Sequence, residues 1–333
     1  MTRLLDVENL TLQFDTDEGR ITAVDGVSFS LEQGEVLGLV GESGSGKSVT
    51  AKSLMKLNPG NAIYGPQTRI ALHLDDGSVD IMSLRTSSEL QLVRGGAISM
   101  IFQEPMASFA PAITIGKQMV EQLLIHTDMS KKQARELSIE MLARVGISDA
   151  SRRFDQYAFE LSGGMRQRAM IAMALSTRPR LLIADEPTTA LDVTIQAQVI
   201  ELMKDLVAEF GMAIIFITHD LGVIAQTADT VAVMYLGRLV ERGPVREVLR
   251  SPGHPYTRGL LEALPDLEDL DRPLTPVPGD IPSPLERPSG CVFHTRCQVA
   301  IEGLCRREVP QFVDLDEHHR AACHLVARER GAA

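Results

Sequence analysis

Hydrophobic and polar positions alternate along two early runs of the chain, residues 4–14 and 21–31, which a polar turn at residues 15–19 separates. Successive side chains of a strand point to opposite faces of a sheet, so this alternation is typical of half-buried β-strands. Further on, the sequence Asp75-Asp76-Gly77 separates two more strand-like runs and favours a tight hairpin. The first part of the chain is therefore predicted to contain antiparallel β structure.

Other runs are predominantly apolar, and their length is typical of strands that are buried on both faces of a sheet. They are residues 36–40, 97–102, 181–184, 213–218 and 231–235. A last strand is predicted at residues 238–241, after a turn at Gly237, and it is expected to close the domain. Helical patterns lie between several of these runs, so the chain is predicted to have an α/β fold.

A purely helical pattern extends from about residue 105 to residue 160. Residues 115–125 form one helical segment, and Ser130 and Gln133 have the spacing of a capping box at the start of another. Apolar residues follow at helical spacing, and Gly146 is placed to end that helix. An α-helical subdomain is therefore predicted within the α/β chain.

The loop at residues 41–48 follows the first buried run and fits the phosphate-binding pattern G-x-x-x-x-G-K-S/T. Its glycines let successive N–H groups point into one concavity, and a helix predicted from Lys47 to Leu57 adds the positive end of its dipole. Lys47 is expected to reach the β- and γ-phosphates of a nucleotide, and the Ser48 hydroxyl is expected to bind Mg²⁺. The predicted ATP-binding residues at this loop are Gly41, Ser43, Gly44, Ser45, Gly46, Lys47, Ser48 and Val49.

Composition limits the possible partners. The 333 residues carry a net charge of −11 and are 44% hydrophobic, which is typical of a globular protein and argues against a nucleic-acid partner. No run approaches the roughly 18 consecutive apolar residues of a membrane span, and the acidic first strand does not resemble a signal peptide. The protein is expected to be cytoplasmic, with any membrane connection made through partners.

Polar side chains follow three of the buried strands, at the sheet edge where α/β proteins bind ligands. Asp185 is expected to hold Mg²⁺, and Glu186 to polarise the attacking water as a general base. Gln103 is expected to contact Mg²⁺ or that water through its amide, and His219 to hydrogen-bond the γ-phosphate. Considered alone, Gln103 could be an ordinary loop residue and His219 a structural histidine.

Five further residues have weaker signals. Ser162, Gly163 and Gly164 begin a helix and could bind an anion, although for a lone Ser-Gly-Gly a simple N-cap is the preferred explanation. Asp192 lies before another helix, and capping alone could account for it. Phe14 is the aromatic residue best placed to stack on adenine, or else it is a core aromatic on a strand.

After about Pro244 the chain becomes rich in proline, which predicts a linker with little regular structure. All four cysteines follow it, at Cys291, Cys297, Cys305 and Cys323, with the spacing C-x5-C-x7-C-x17-C. Disulfides are improbable in a reducing cytosol, so four thiols in a core-poor tail suggest a metal site. Zinc is one candidate, although its usual C-x₂₋₄-C pairs are lacking, and nearby histidines could replace a ligand.

In their order and spacing, these motifs together resemble the ATP-binding subunit of ABC transporters. The residues that carry the resemblance are the loop at 41–48, Gln103, the signature at 161–165, Asp185-Glu186, Ala190-Leu191-Asp192 and His219. The resemblance covers about the first 245 residues and implies a nucleotide-binding domain at residues 1–250. That domain is expected to have a P-loop NTPase (RecA-like) core with an antiparallel β subdomain and the helical subdomain at about 105–160. It also implies that two such subunits sandwich two ATP molecules, with Ser162, Gly163, Gly164 and Asp192 of one facing the ATP of the other.

A second resemblance, to the dipeptide/oligopeptide branch of ABC importers, rests on four further segments. They are residues 103–106, 253–257, 281–284 and 290–297. It implies an ATP-hydrolysing subunit at the cytoplasmic face of the inner membrane, two permease subunits and an extracytoplasmic solute-binding protein. It also implies a second ATPase subunit, for which a different chain is favoured and a second copy of this chain is the alternative. It also favours a 4Fe–4S cluster over zinc in a small irregular extension at residues 251–333.

The same resemblance leaves some points open. Residues 108–111 depart from the Asn-Pro pair common in this branch, so the permease and the solute stay undetermined. The solute could be a dipeptide, an oligopeptide, glutathione, nickel or an oligosaccharide. The alternatives in function are a soluble ABC-type ATPase acting on DNA or ribosomes, and a redox- or iron-sensing protein regulated by ATP.

Overall fold

The computed structural model describes residues 2–104, 108–187, 193–264 and 276–331, with only the backbone described at residues 193–195. The chain divides into two compact units, and each contains segments distant in sequence. The first unit contains Leu31–Val36 and Leu72–Ile217 together with the first few residues. The second contains Leu5–Ser30, Leu37–Ala71 and Thr218–Ala333, so it includes both the glycine-rich loop and the cysteine-rich segment.

In the first unit, three buried strands run parallel in the order β9-β8-β7. They are β7 (Ile98–Ile101), β8 (Leu181–Asp185) and β9 (Ala213–Thr218). Every side chain of these three strands is buried, which explains why their sequences are continuous apolar runs rather than alternating ones. Parallel pairing places their carboxyl ends at one edge, where Asp185 ends β8.

The helices of this unit include the predicted helical subdomain. The unit contains α2 (Ser87–Val93), α3 (Ile115–His126), α4 (Lys131–Arg144), α5 (Ala150–Phe154), α6 (Gly163–Ser176) and α7 (Val193–Phe210). Both hydrogen bonds of the predicted capping box form: Ser130 N donates to Gln133 Oε1 at 2.9 Å, and Gln133 N donates to Ser130 Oγ at 3.4 Å. Gly146 has φ 80° just after α4, so the helix ends where the glycine predicts.

The second unit contains most of the predicted antiparallel sheet. Its strands are β1 (Arg3–Thr16), β2 (Gly19–Glu32), β4 (Ala62–Tyr64) and the start of β5 (Arg69–Leu74). β1 pairs with β2, β4 and β5. At the far end of β5, within the first unit, the predicted hairpin forms with β6 (Gly77–Asp80) after Asp75 and Asp76.

A second group of strands in this unit has the order β12-β13-β11-β10-β3. They are β3 (Val36–Val40), β10 (Thr230–Tyr235), β11 (Arg238–Pro244), β12 (Val313–Asp314) and β13 (Arg320–Ala321). β11 includes the strand predicted at residues 238–241, and β13, from the C-terminal part of the chain, pairs with β11. Two-residue strands have no readable alternation, so the sequence could not indicate them.

The remaining helices of the second unit are α1 (Lys47–Ser53), α8 (Leu221–Thr227), α9 (Val245–Arg250), α10 (Pro255–Glu262) and α11 (His324–Glu329). The predicted linker therefore begins later than expected, because α9 and α10 follow Pro244. Residues 265–275, with Pro265 and Pro273, lie outside the described residues. Within the described ranges, no helix has the length and apolar character needed to cross a lipid bilayer.

A buried carboxylate fastens the chain after residue 250 to β11. The Glu241 side chain is fully buried, and it accepts hydrogen bonds from the N–H groups of Gly253 at 2.7 Å and His254 at 2.8 Å. The Nε2 atom of His319 lies 2.7 Å from the same carboxylate. Burial alone would raise the pKa of Glu241, but these hydrogen bonds outweigh it and the pKa is lowered. The C-terminal residues are thus held by a charged group in the interior.

Candidate active site

Two glycines give the loop at residues 41–48 its shape. Gly41 has φ 152°, and a Cβ atom there would lie 2.2 Å from the carbonyl oxygen of Met234. Gly46 has φ 98°, and a Cβ atom there would lie 2.6 Å from the carbonyl oxygen of Ala23. Only glycine fits both the backbone angles and the space, so the strand can turn tightly into α1 at this point.

Helix α1 begins at Lys47 as predicted but ends at Ser53, not at Leu57. Lys56 has a left-handed φ of 49°, and this conformation ends the helix before Leu57. Ser48 and Val49 are half-buried in its first turn, whereas Ser43 and Gly44 are exposed in the loop.

The Lys47 side chain lies inside the loop that precedes it. It is only 6% exposed. Its Nζ atom donates to the carbonyl oxygens of Gly41 at 2.7 Å and Glu42 at 2.9 Å, and it lies 3.3 Å from Ser45 Oγ. A buried ammonium ion needs such acceptors, and phosphate oxygens would be stronger ones. The loop therefore holds a buried positive charge against its own oxygen atoms.

Glu42, the second residue of the loop, contacts two side chains that the sequence did not indicate. The guanidinium of Arg296 makes two hydrogen bonds to its carboxylate, at 2.7 and 3.1 Å. The backbone N–H of Glu42 donates to the hydroxyl of Tyr256 at 2.8 Å. Both residues occur in the segments that carry the second family resemblance, yet nothing in the sequence links them to a loop more than two hundred residues earlier.

In the first unit, the structure brings together Gln103 and Glu186, two of the predicted catalytic residues. Gln103 Nε2 donates to Glu186 Oε2 at 2.9 Å. Glu186 has the left-handed φ of 46°, and its N–H donates to the carbonyl oxygen of Ile217 at 2.9 Å. Such a backbone conformation costs energy in a residue other than glycine and is concentrated at functional sites. Asp185, one residue earlier, is only 3% exposed.

The other predicted residues lie where the sequence placed them on their elements. Ser162 is the exposed N-cap of α6, where its Oγ accepts a 3.4 Å hydrogen bond from Met165 N, and Gly163 and Gly164 form the first turn. His219 is exposed just after β9. Phe14 is half-buried on β1 beside Ala62 of β4. Their functional roles remain predictions, and Asp192 lies outside the described residues.

The four cysteines, all within the described ranges, form no disulfide. The pKa of the Cys291 thiol is raised to about 11, mainly by burial and in smaller part by the charges of the other three cysteines. Burial likewise raises the pKa values of Cys297 and Cys323. The thiols thus lie close enough to influence one another, but within the described residues no group of His, Cys, Asp and Glu side chains has the arrangement needed to hold a metal ion.

Comparison with known sequences identifies two regions. Residues 24–189 match the family described as ABC transporter, and residues 240–305 match the oligopeptide/dipeptide transporter C-terminal region. A Brucella abortus protein named "Putative peptide import ATP-binding protein" is 48% identical over 326 residues, covering 96% of both chains. A Brucella melitensis protein of the same name is 50% identical over 309 residues, covering 92% of this chain and 90% of that one.

A solved structure, the dimeric post-hydrolysis state of the ATP-binding cassette MJ0796 bound to ADP and Pi, has the same fold. The two agree with a TM-score of 0.64 at 25% sequence identity, covering 73% of this chain and 99% of that chain. The alternatives of a nucleic-acid-associated ATPase and of a redox sensor are not favoured by these matches. The chain belongs to the ABC transporter family, and it is an ATP-hydrolysing subunit of an importer in the oligopeptide/dipeptide branch.

Proposed function

We propose that this chain hydrolyses ATP to drive the import of dipeptides, oligopeptides or related small solutes. One observation carries the proposal: the cassette match at residues 24–189 is followed by the transporter C-terminal region at 240–305 in the same chain. The relatives named for peptide import span nearly the whole chain, which supports peptides as the solute class.

The proposed roles follow from the chemistry of each residue. The N–H groups of the loop at 41–48 and the Lys47 ammonium bind the triphosphate, and Glu186 accepts the proton of the attacking water. Gln103 positions the Glu186 carboxylate through the 2.9 Å hydrogen bond, and His219 contacts the γ-phosphate. Ser48, Gln103 and Asp185 supply the oxygen ligands that Mg²⁺ prefers, and the ion when bound would neutralise phosphate charge.

The proposed assembly contains a second ATPase subunit and two permease subunits. The dimeric cassette structure supports pairing of two ATPase subunits, and Ser162, Gly163, Gly164 and Asp192 are proposed to face the partner's ATP. We favour a different chain, rather than a second copy of this one, as the second ATPase subunit. The chain would lie at the cytoplasmic face of the inner membrane, held there by the permeases, and receive solute delivered by an extracytoplasmic binding protein.

Uptake measurements test the proposed function. In a strain that lacks this chain, uptake of labelled dipeptides and tripeptides is expected to fall to background, because the proposed transporter then lacks one of its two ATPase subunits. Expression of the wild-type chain should restore uptake, whereas Lys47→Ala should not. Unchanged peptide uptake in the deletion strain, measured beside nickel, glutathione and oligosaccharide uptake, would overturn the peptide assignment.

We also propose that Cys291, Cys297, Cys305 and Cys323 bind a structural metal centre, preferably a 4Fe–4S cluster and alternatively zinc. Four thiolates are the ligand set that such a cluster requires. The mutual effect of the thiols on their pKa values supports the proposal, since charged groups influence one another most strongly at short distance. Among the described residues, no group of side chains is already arranged to coordinate a metal ion, so the cysteine side chains would have to rearrange when the metal binds.

Elemental analysis of anaerobically purified protein tests this metal site. Iron with acid-labile sulfide is expected in the wild-type protein and should be lost when the four cysteines are replaced by serine. Because bound metal stabilises the folded state, the replacement is also expected to lower the melting temperature. Zinc in place of iron would select the alternative, and absence of both metals would overturn the proposal.

A further inference from the structure

Glu42 places a carboxylate within a loop that is proposed to bind a polyanion. Its side chain is 25% exposed, so water screens its charge only in part. An uncompensated carboxylate at this position would repel a triphosphate bound by neighbouring residues of the same loop. The charge of Glu42 must therefore be balanced if the loop is to bind phosphate well.

Arg296 supplies that balance with all five donors of its guanidinium engaged. Two hydrogen bonds go to the Glu42 carboxylate at 2.7 and 3.1 Å, and one goes to the Tyr235 hydroxyl at 3.4 Å. The remaining two go to the carbonyl oxygens of Pro278 at 2.9 Å and Val277 at 3.1 Å. The Arg296 side chain is only 4% exposed. A guanidinium held on every side has a fixed position, and the bidentate pair fixes the carboxylate with it.

Tyr256 holds the backbone of the same residue. Its hydroxyl accepts the hydrogen bond from Glu42 N at 2.8 Å, and its ring packs against Tyr235 and Phe293, with centroids 4.7 and 5.3 Å away. The Tyr256 side chain is fully buried. The carbonyl oxygen of Glu42 meanwhile accepts from Lys47 Nζ at 2.9 Å. The N–H, the carbonyl and the carboxylate of Glu42 are thus each held by a separate partner.

We propose that Arg296 is a positioning residue for nucleotide binding, because it neutralises Glu42 and holds that side chain away from the phosphate site. Tyr256 assists by fixing the Glu42 peptide. The segment that carries Arg296 then contributes directly to the affinity of the phosphate-binding loop. This inference rests on the proposed role of the loop at residues 41–48.

Titration of the purified chain with a fluorescent ATP analogue tests the inference. Arg296→Met is expected to raise the Kd at least about tenfold, the size expected when a charge-assisted hydrogen-bond pair is lost. The double variant Glu42→Gln with Arg296→Met should return the Kd to within about threefold of wild type. Without the Glu42 carboxylate there is no charge for Arg296 to neutralise, so the effects of the two substitutions on the Kd should not add. In the assembled transporter, Arg296→Met should raise KM for ATP more than it lowers kcat.

A stability control separates this role from general loosening of the fold. His319→Asn removes the contact between His319 and Glu241, which also holds the C-terminal residues but does not involve the loop at residues 41–48. This variant should therefore have a lower melting temperature and an unchanged nucleotide Kd. Arg296 is adjacent to Cys297, a proposed metal ligand, so the metal content of every variant is also measured. Failure of the double variant to recover affinity would overturn the inference. If Lys47→Ala also bound nucleotide normally, the proposed phosphate site itself would be wrong.

Discussion

Replacement of Glu186 by glutamine is expected to leave ATP binding intact while lowering the hydrolysis rate by at least about a hundredfold, because a general base contributes ~10²–10⁴-fold to such reactions. The amide keeps the size of the side chain and one oxygen acceptor, so the hydrogen bond from Gln103 can persist. What the variant loses is a carboxylate able to accept a proton from water.

The measurements are single-turnover hydrolysis and size-exclusion chromatography in the presence of ATP and Mg²⁺. In the proposed assembly, hydrolysis reopens the ATP-bound dimer, so the Glu186→Gln protein should accumulate as a stable dimer with its partner subunit. Gln103→Ala is a useful companion variant, since it removes only the group that positions the carboxylate and should lower the rate less. Hydrolysis by Glu186→Gln at close to the wild-type rate would mean that another group is the base.

Lys47→Ala is expected to weaken ATP binding about ten- to a hundredfold or more, corresponding to the ~1.5–3 kcal/mol of a hydrogen bond to a charged group. The Lys47 ammonium is a buried cation of the loop, and in the structure it donates to oxygen atoms of Gly41, Glu42 and Ser45 in the same loop. Removal of the ammonium also leaves the carbonyl oxygens of Gly41 and Glu42 without this donor.

Fluorescent-nucleotide titration measures the effect, and the melting temperature shows whether the loop remains folded. Lys52→Ala is the matched control, because Lys52 lies in the same helix but outside the loop motif. Its nucleotide Kd should match that of the wild-type chain. Equal affinities for Lys47→Ala and Lys52→Ala would show that the triphosphate is not bound by Lys47.

Local sequence patterns predicted those parts of the fold that depend on nearby residues. The capping box of Ser130 and Gln133, the hairpin at Asp75-Asp76-Gly77 and the glycine-rich loop all formed, because their hydrogen bonds and backbone angles involve residues close in sequence. The burial of β8 and β9 was likewise predictable, since strands covered on both faces must be apolar throughout.

Features that depend on distant partners were not predictable. Gln103 and Glu186 were each predicted to be functional from the sequence. The hydrogen bond between them could not be predicted, because it depends on how the chain folds. The pairing of β13 with β11 and the attachment of Glu42 to Arg296 had no local signal at all. The early end of α1 depends on the left-handed backbone of Lys56, a residue with no particular preference for that conformation.

The separation of 254 residues between Glu42 and Arg296 has a consequence for protein synthesis. A ribosome makes the phosphate-binding loop early, and the arginine that neutralises its acidic residue is added much later. Nascent chains would therefore bind nucleotide poorly for most of their translation time.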